Sequence, residues 1–307
     1  LSTAEELAGL PEFVCHAAQK LAKDRGLTQA NAHAFTLSRS SITPFMTFSE
    51  RRDLRQRMWQ AWCQRGEHEG AHNNEPIMKE ILKLRLEQAQ LLGYKDFSEY
   101  ALADTMAGSA QQARELLTRV WQPARLKAIQ EGEDLKKLSG LKDLQAWDWH
   151  FWTERVRKEK FDLNEAELKP YLQLHKMMEA MFYVANRLFG VQFQQVQNIA
   201  KYHETVTGWE VCNAQGQHVG LFLSDNFARS TKRSGAWMST YRDPMHLHTS
   251  VRPIVVNNNN FSQGPEGQPT LLSLDDARTL FHEFGHGLHG LLSQVRYPRL
   301  SGTSVLR

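Results

Sequence analysis

The chain has 307 residues, 41% of them apolar and 23% charged, with 37 basic against 34 acidic side chains and a net charge of +3. This is an ordinary globular composition, long enough for one large domain or two smaller ones. The balanced charge leaves no electrostatic footprint for nucleic acid or an anionic membrane, and no apolar run approaches the roughly 18 residues of a membrane span. Cys15, Cys63 and Cys212 are odd in number and widely spaced. That spacing predicts reduced thiols in a cytoplasmic protein rather than a disulfide framework.

In chain order, Ser2-Thr3-Ala4-Glu5 has the form of a capping box for an amphipathic helix over residues 2–24. Residues 36–48, with Pro44, predict a strand or loop, and Ser49 is the expected cap of a charged helix to about residue 65. Residues 75–92 carry Ile77, Ile81, Leu84, Ala89 and Leu92 near helical spacing, with Gly93 as the stop. Ser109 opens a helix expected to reach residue 138. Asp148 and Asn164 cap two more, the second running to residue 189 before Gly190. The aromatic cluster Trp147, Trp149, Phe151 and Trp152 is expected in a core.

The texture changes after Gly190. Residues 206–212 and 218–223 predict two strands joined by a hairpin loop over 213–217, and residues 252–256 a third. The run Asn257 to Asn260 predicts a turn, and a well-marked helix begins near Leu274. The expected architecture is mainly α, with a small β-sheet beside the helix that carries the chemistry. Residues 1–190 would form the helical region and residues 191–307 the sheet and catalytic helix.

That last helix contains His282-Glu283-Phe284-Gly285-His286. Histidines at i and i+4 share one helical face, so both imidazoles can reach a single zinc ion, and the intervening Glu can address a water activated by the metal. Ser273 with Asp276 has the spacing of a capping box at the helix start, and Ala277, Leu280, Phe281, Phe284, Leu288 and Leu291 make a broad apolar face. Gly285 and Gly287 each cost a helix about 1 kcal/mol against Ala, which points to a close approach to the backbone. The competing reading is a helix whose histidines only make hydrogen bonds. His289 and Leu292 stand where a metzincin needs Gly and His, so that class is excluded. No Asp or Glu follows Gly287, so a downstream carboxylate ligand is absent from these residues. His246 and His248 alternate like strand residues but lack the partners a second zinc needs.

Leu280-Phe281-His282-Glu283-Phe284-Gly285-His286-Gly287-Leu288-His289 resembles the core motif of the thimet oligopeptidase and peptidyl-dipeptidase family of zinc metallopeptidases. Lys232-Arg233-Ser234-Gly235-Ala236-Trp237-Met238 and Arg252-Pro253-Ile254-Val255 resemble its approach to that motif. Leu91-Leu92-Gly93-Tyr94, Trp147-Asp148-Trp149 and Leu168-Lys169-Pro170-Tyr171 resemble its helical region, so the likeness covers nearly the whole chain. Its look is closest to the bacterial peptidyl-dipeptidases.

The resemblance implies an elongated, two-lobed helical fold with a deep channel, one zinc ion per complete enzyme, and hydrolysis of short peptides. It assigns the metal to His282 and His286 and the general base to Glu283. In the family a Ser-Gly-Thr stretch like Ser301-Gly302-Thr303 leads into Asp-Phe-Val-Glu, whose Glu is the third zinc ligand. The chain is therefore expected to be an internal piece of a longer enzyme, binding zinc loosely and hydrolysing peptides little by itself. Residues 252–257 are a candidate strand edge for pairing with extended peptide, and Gly235, Ala236, Val255 and His289 are candidate substrate contacts. The alternative function is an inactive fragment or a helical peptide-binding module without the third ligand.

Overall fold

The computed structural model describes residues 1–161, 165–265 and 267–306. They form two compact units, one of Leu1–Phe45 with Asp162–Val305 and the other of Met46–Phe161 with Leu306–Arg307. The division does not follow the change of texture at Gly190, because a long helix before that glycine packs on the sheet after it.

The first unit opens with a turn, not a helix. The capping box is reciprocal between Thr3 and Glu6: the Glu6 carboxylate accepts from the Ser2 and Thr3 N–H groups, and Thr3 Oγ1 accepts from Glu6 N–H. Pro11 then resets the chain, and helix α1 runs Glu12–Asp24. Helix α2, Arg39–Phe48, contains Pro44. Pro44 argued for a strand or loop, but Ile42, Phe45 and Met46 are buried at i, i+3 and i+4. Burying that face outweighs the one helix hydrogen bond that proline forgoes.

In the second unit, α3 (Arg52–Cys63), α4 (Glu75–Leu91), α5 (Phe97–Leu102), α6 (Ala110–Ser139) and α7 (Trp149–Phe161) follow one another. Ser109 caps α6 by accepting from Gln112 N–H, as expected. Ser49 does not cap α3; its carbonyl accepts from the Arg55 guanidinium at 2.7 Å. Asp148, fully buried, binds Arg52 and Arg55 and accepts from Gln145 N–H. Burial alone would raise its carboxyl pKa; the Arg52, Gln145 and Arg55 hydrogen bonds together outweigh that and hold it below the ordinary carboxylate range. Of the aromatic cluster, Phe151 is buried and Trp149 is partly exposed.

Back in the first unit come α8 (Glu165–Leu168) and α9 (Leu174–Phe189), which ends at Gly190 in the left-handed conformation. The expected cap Asn164 lies outside the described residues. The sheet contains β1 (Gln192–Val196), β2 (Thr207–Cys212), β3 (His218–Phe227), β4 (Trp237–Arg242) and β5 (Ile254–Phe261), in the order β1-β2-β3-β5-β4. β5 runs parallel to β3, and the other neighbours are antiparallel. Asn213 shapes the β2–β3 turn, its side chain accepting from the Gln215 and Gln217 N–H groups. Residues 257–260 are not a turn but part of β5, with Asn257 and Asn258 paired on both sides. The expected strand edge at residues 252–257 is also corrected: β5 is interior, and the exposed edge beside it is β4. Helix α10, Leu274–Leu292, lies on this sheet beside α9. The described chain is about half helical with a five-stranded mixed sheet.

Candidate active site

Helix α10 begins where its sequence predicts. Ser273 Oγ accepts from Asp276 N–H, and the Asp276 carboxylate accepts from Ser273 N–H, both at 3.0 Å. Ala277, Leu280, Phe284 and Leu291 are buried against α9 and the sheet. Phe284 is the central anchor: its ring lies 5.4 Å from Phe222, 5.5 Å from Phe193 and 5.8 Å from Phe182. A ring held by three others fixes the rotation of the helix about its axis, and with it the direction of residues 282, 283 and 286.

His282 and His286 fall on the exposed side. Their Nε2 atoms are 3.1 Å apart and the rings stand at 88°. A tetrahedral zinc about 2.0–2.1 Å from each of two imidazole nitrogens sets those nitrogens about 3.3 Å apart. The pair therefore fits two positions of a zinc site, and a bound metal would replace the contact between the two nitrogens. Glu283, only 7% exposed, sits between them in sequence but turns toward the buried side. It is placed beside the face of the two histidines rather than on it. Among the described residues, no group of three or more His, Cys, Asp or Glu side chains able to hold a metal is present.

The two glycines of the motif differ. A Cβ on Gly285 would meet open space, whereas one on Gly287 would lie 3.0 Å from Asn257 Oδ1 and 3.5 Å from Phe222. The close approach expected at both occurs at Gly287 alone. Past the helix the chain folds back over its last turns. Gly302, with φ +53°, brings its own Cβ position to 3.1 Å from Gly290 Cα, and its N–H donates to Ser293 Oγ.

The candidate substrate contacts are spread out. Val255 is fully buried in the core, so only its main chain is available, and that is already paired on both sides. His289 is exposed one turn beyond His286. Gly235 and Ala236 lead into β4. Gly235 has φ +93°, and Asn260 Nδ2 donates to the carbonyls of both Arg233 and Gly235 at 2.9 and 2.7 Å.

Behind that loop is a charged cluster that sequence reasoning missed. Asp225, fully buried, takes a two-pronged contact from Arg229 at 2.8 Å and one from Lys232 at 3.0 Å, and the Tyr202 hydroxyl donates to it. Lys232 also donates to the carbonyls of Asp225 and Phe227. Burial raises the Asp225 carboxyl pKa, but Arg229 and Lys232 more than offset it and leave the pKa below the usual range. Burial lowers the Lys232 pKa, and burial together with the neighbouring Asp225 carboxylate makes the Tyr202 hydroxyl harder to ionise.

The sequence pattern of peptidase family M3 matches residues 45–307. The chain belongs to peptidase family M3. Dipeptidyl carboxypeptidase of Salmonella typhimurium is 36% identical over 306 residues, covering 98% of this chain and 45% of that protein. Oligopeptidase A of Haemophilus influenzae is 33% identical over 307 residues, 97% of this chain and 45% of that protein. Saccharolysin of Saccharomyces cerevisiae is 26% identical over 319 residues, 98% and 44% respectively. The chain thus spans less than half the length of the curated relatives it matches. Membership of the M3 family agrees with the resemblance seen in the sequence along nearly the whole chain.

Proposed function

We propose that this chain carries the catalytic helix of a zinc-dependent peptidase that cuts short peptides, acting as an oligopeptidase or peptidyl-dipeptidase. The observation that carries the reading is the convergence of His282 and His286 Nε2 at 3.1 Å with the buried Glu283 beside them. His282 and His286 hold the metal, and a third ligand, a carboxylate, comes from outside the described residues. Zinc, when bound, supplies a Lewis acid that polarises the scissile carbonyl and makes water acidic enough to lose a proton near neutrality. Glu283 accepts that proton from the attacking water and delivers it to the departing amine. Its burial keeps the carboxylate poorly hydrated and its aim fixed. The exposed edge of β4 receives the extended peptide by main-chain pairing, with Gly235 and Ala236 at its entrance.

Cys15, Cys63 and Cys212 are all free, which suits a reducing compartment, and we place the protein in the cytoplasm. No helix among the described residues is long and apolar enough to cross a membrane.

Zinc titration of the purified chain tests the reading. The unsubstituted chain and Glu283→Gln should bind zinc alike, and His282→Ala or His286→Ala should abolish binding. In any form of the protein that cleaves peptides, Glu283→Gln should lower kcat by at least about 10³-fold, in the range lost when a positioned acid–base group is removed. Retained turnover removes Glu283 from the mechanism. Zinc binding unaffected by loss of both histidines favours the peptide-binding module without catalysis.

A further inference from the structure

The face of the sheet that supports α10 is not uniformly apolar. On β3 and β5, Phe222 and Val255 give way to Ser224, Asn226, Asn257 and Asn259, all buried. Three of these are linked: Asn226 Nδ2 donates to Ser224 Oγ and Asn259 Nδ2 donates to Asn226 Oδ1, each at 2.9 Å. Asn257 is not. It is 1% exposed, and neither its Nδ2 nor its Oδ1 has a hydrogen-bond partner among the described residues.

A buried amide without partners works against folding, and an apolar side chain of similar size would suit the neighbouring Phe222 and Val255 better. What the amide does touch is the helix. Its Oδ1 and Nδ2 would lie 3.0 and 3.6 Å from a Cβ on Gly287, the residue after His286 and one turn after Glu283. One turn further on, a Cβ on Gly290 would lie 3.1 Å from Val255 Cγ2. Strand β5 therefore sets the height of the helix at two successive points, and the point nearer the histidines is Asn257.

We propose that Asn257 is a positioning residue for the metal face of α10: set against the position a Cβ on Gly287 would take, it fixes the height and tilt of the turn that presents His286 toward His282. This rests on the reading of the histidine pair as zinc ligands. The stability given up by burying an unpaired amide is retained because it holds the helix at one distance from the sheet, and stability exchanged for a fixed site is a common pattern.

The test is zinc affinity, measured by competition with a chromophoric chelator, together with the visible spectrum of the cobalt-substituted chain and the urea midpoint. Asn257→Ala should weaken zinc binding at least tenfold and alter the cobalt spectrum, while the urea midpoint stays level or rises. Gly287→Ala should weaken binding comparably by pushing the helix off the sheet. Combining the two should restore affinity to within about threefold of the unsubstituted chain, because the new methyl occupies the room the amide leaves. If Gly287→Ala does not fold, Asn257→Ala decides alone, since truncation introduces no clash. Zinc binding within threefold of normal in Asn257→Ala, a fall in stability that parallels the loss of zinc, or a double variant no better than Gly287→Ala would each overturn the proposal. If the unsubstituted chain shows no histidine-dependent zinc binding, the reading of the pair fails first and the positioning role fails with it.

Discussion

Two carboxylates in the first unit are buried for different ends. Glu283 lies buried beside the histidine face, whereas Asp225 is enclosed by Arg229, Lys232 and Tyr202. Removing the Asp225 charge would leave Lys232, itself almost fully buried, without its counter-ion. Asp225→Asn should therefore cost about 3 kcal/mol in urea unfolding at pH 7, the scale for breaking a buried pair from one side. The pH dependence has a definite sign. The Asp225 carboxyl ionises below its ordinary range in the folded chain. Its contribution is thus complete above the unfolded value, near pH 4, and is lost as pH falls through the lower folded value. Urea midpoints taken from pH 7 down to pH 3 should fall more steeply for the parent chain than for Asp225→Asn; parallel curves would refute the assignment. At this scale the sequence was legible for the placement of His282, Glu283 and His286, which follows from spacing within five residues. It was silent on Asp225, enclosed by Arg229, Lys232 and Tyr202, and it read Asn257 as part of a turn, because the approach of Asn257 to Gly287 is made by packing a helix on a strand distant in sequence.

Helix α10 is the element most completely written in its own residues. Apolar face and motif lie within the 19 residues of the helix and the cap immediately before it, and each depends on neighbours three or four positions away. Ser273→Ala should lower stability by about 1 kcal/mol, the usual loss of an N-cap, with zinc affinity unchanged because the histidines lie more than two turns further on. A larger loss with impaired zinc binding would show that the helix start governs the site. Strands were harder to read. β4 and β1 carry no clear alternation, and the asparagines of β5 have turn chemistry by composition. Their extended form is dictated by ladder pairing on both sides of β5, a non-local cause that outweighs intrinsic preference. The same override made α2 a helix around Pro44.

At the scale of the molecule, the two units differ in how their apolar surface is disposed. The first has a continuous core through α9, the sheet and α10. In the second, α4 leaves Ile77, Met78, Ile81 and Leu82 exposed, and α6 leaves Leu116, Leu117, Val120 and Trp121 exposed. Helices that bury little are stabilised little by packing, and they open locally at lower free energy. Amide exchange of the chain should accordingly be at least tenfold slower in β3, β5 and the middle of α10 than in α4 and the first half of α6. Equal protection would mean that those helices are held by contacts other than their own unit's.

The sequence by itself determined the family and the helix that carries its motif: a capped amphipathic helix with His282, Glu283 and His286 on defined faces, and M3 likeness along most of the chain. Those features are local, so periodicity and capping express them without reference to the rest of the fold. Only the tertiary structure decided which strand is an edge, that the asparagine run is core strand, and that Asn257 meets Gly287. Each of these depends on strand order and on the height of a helix above a sheet. Both are set by segments distant in sequence, and no short-range pattern encodes them.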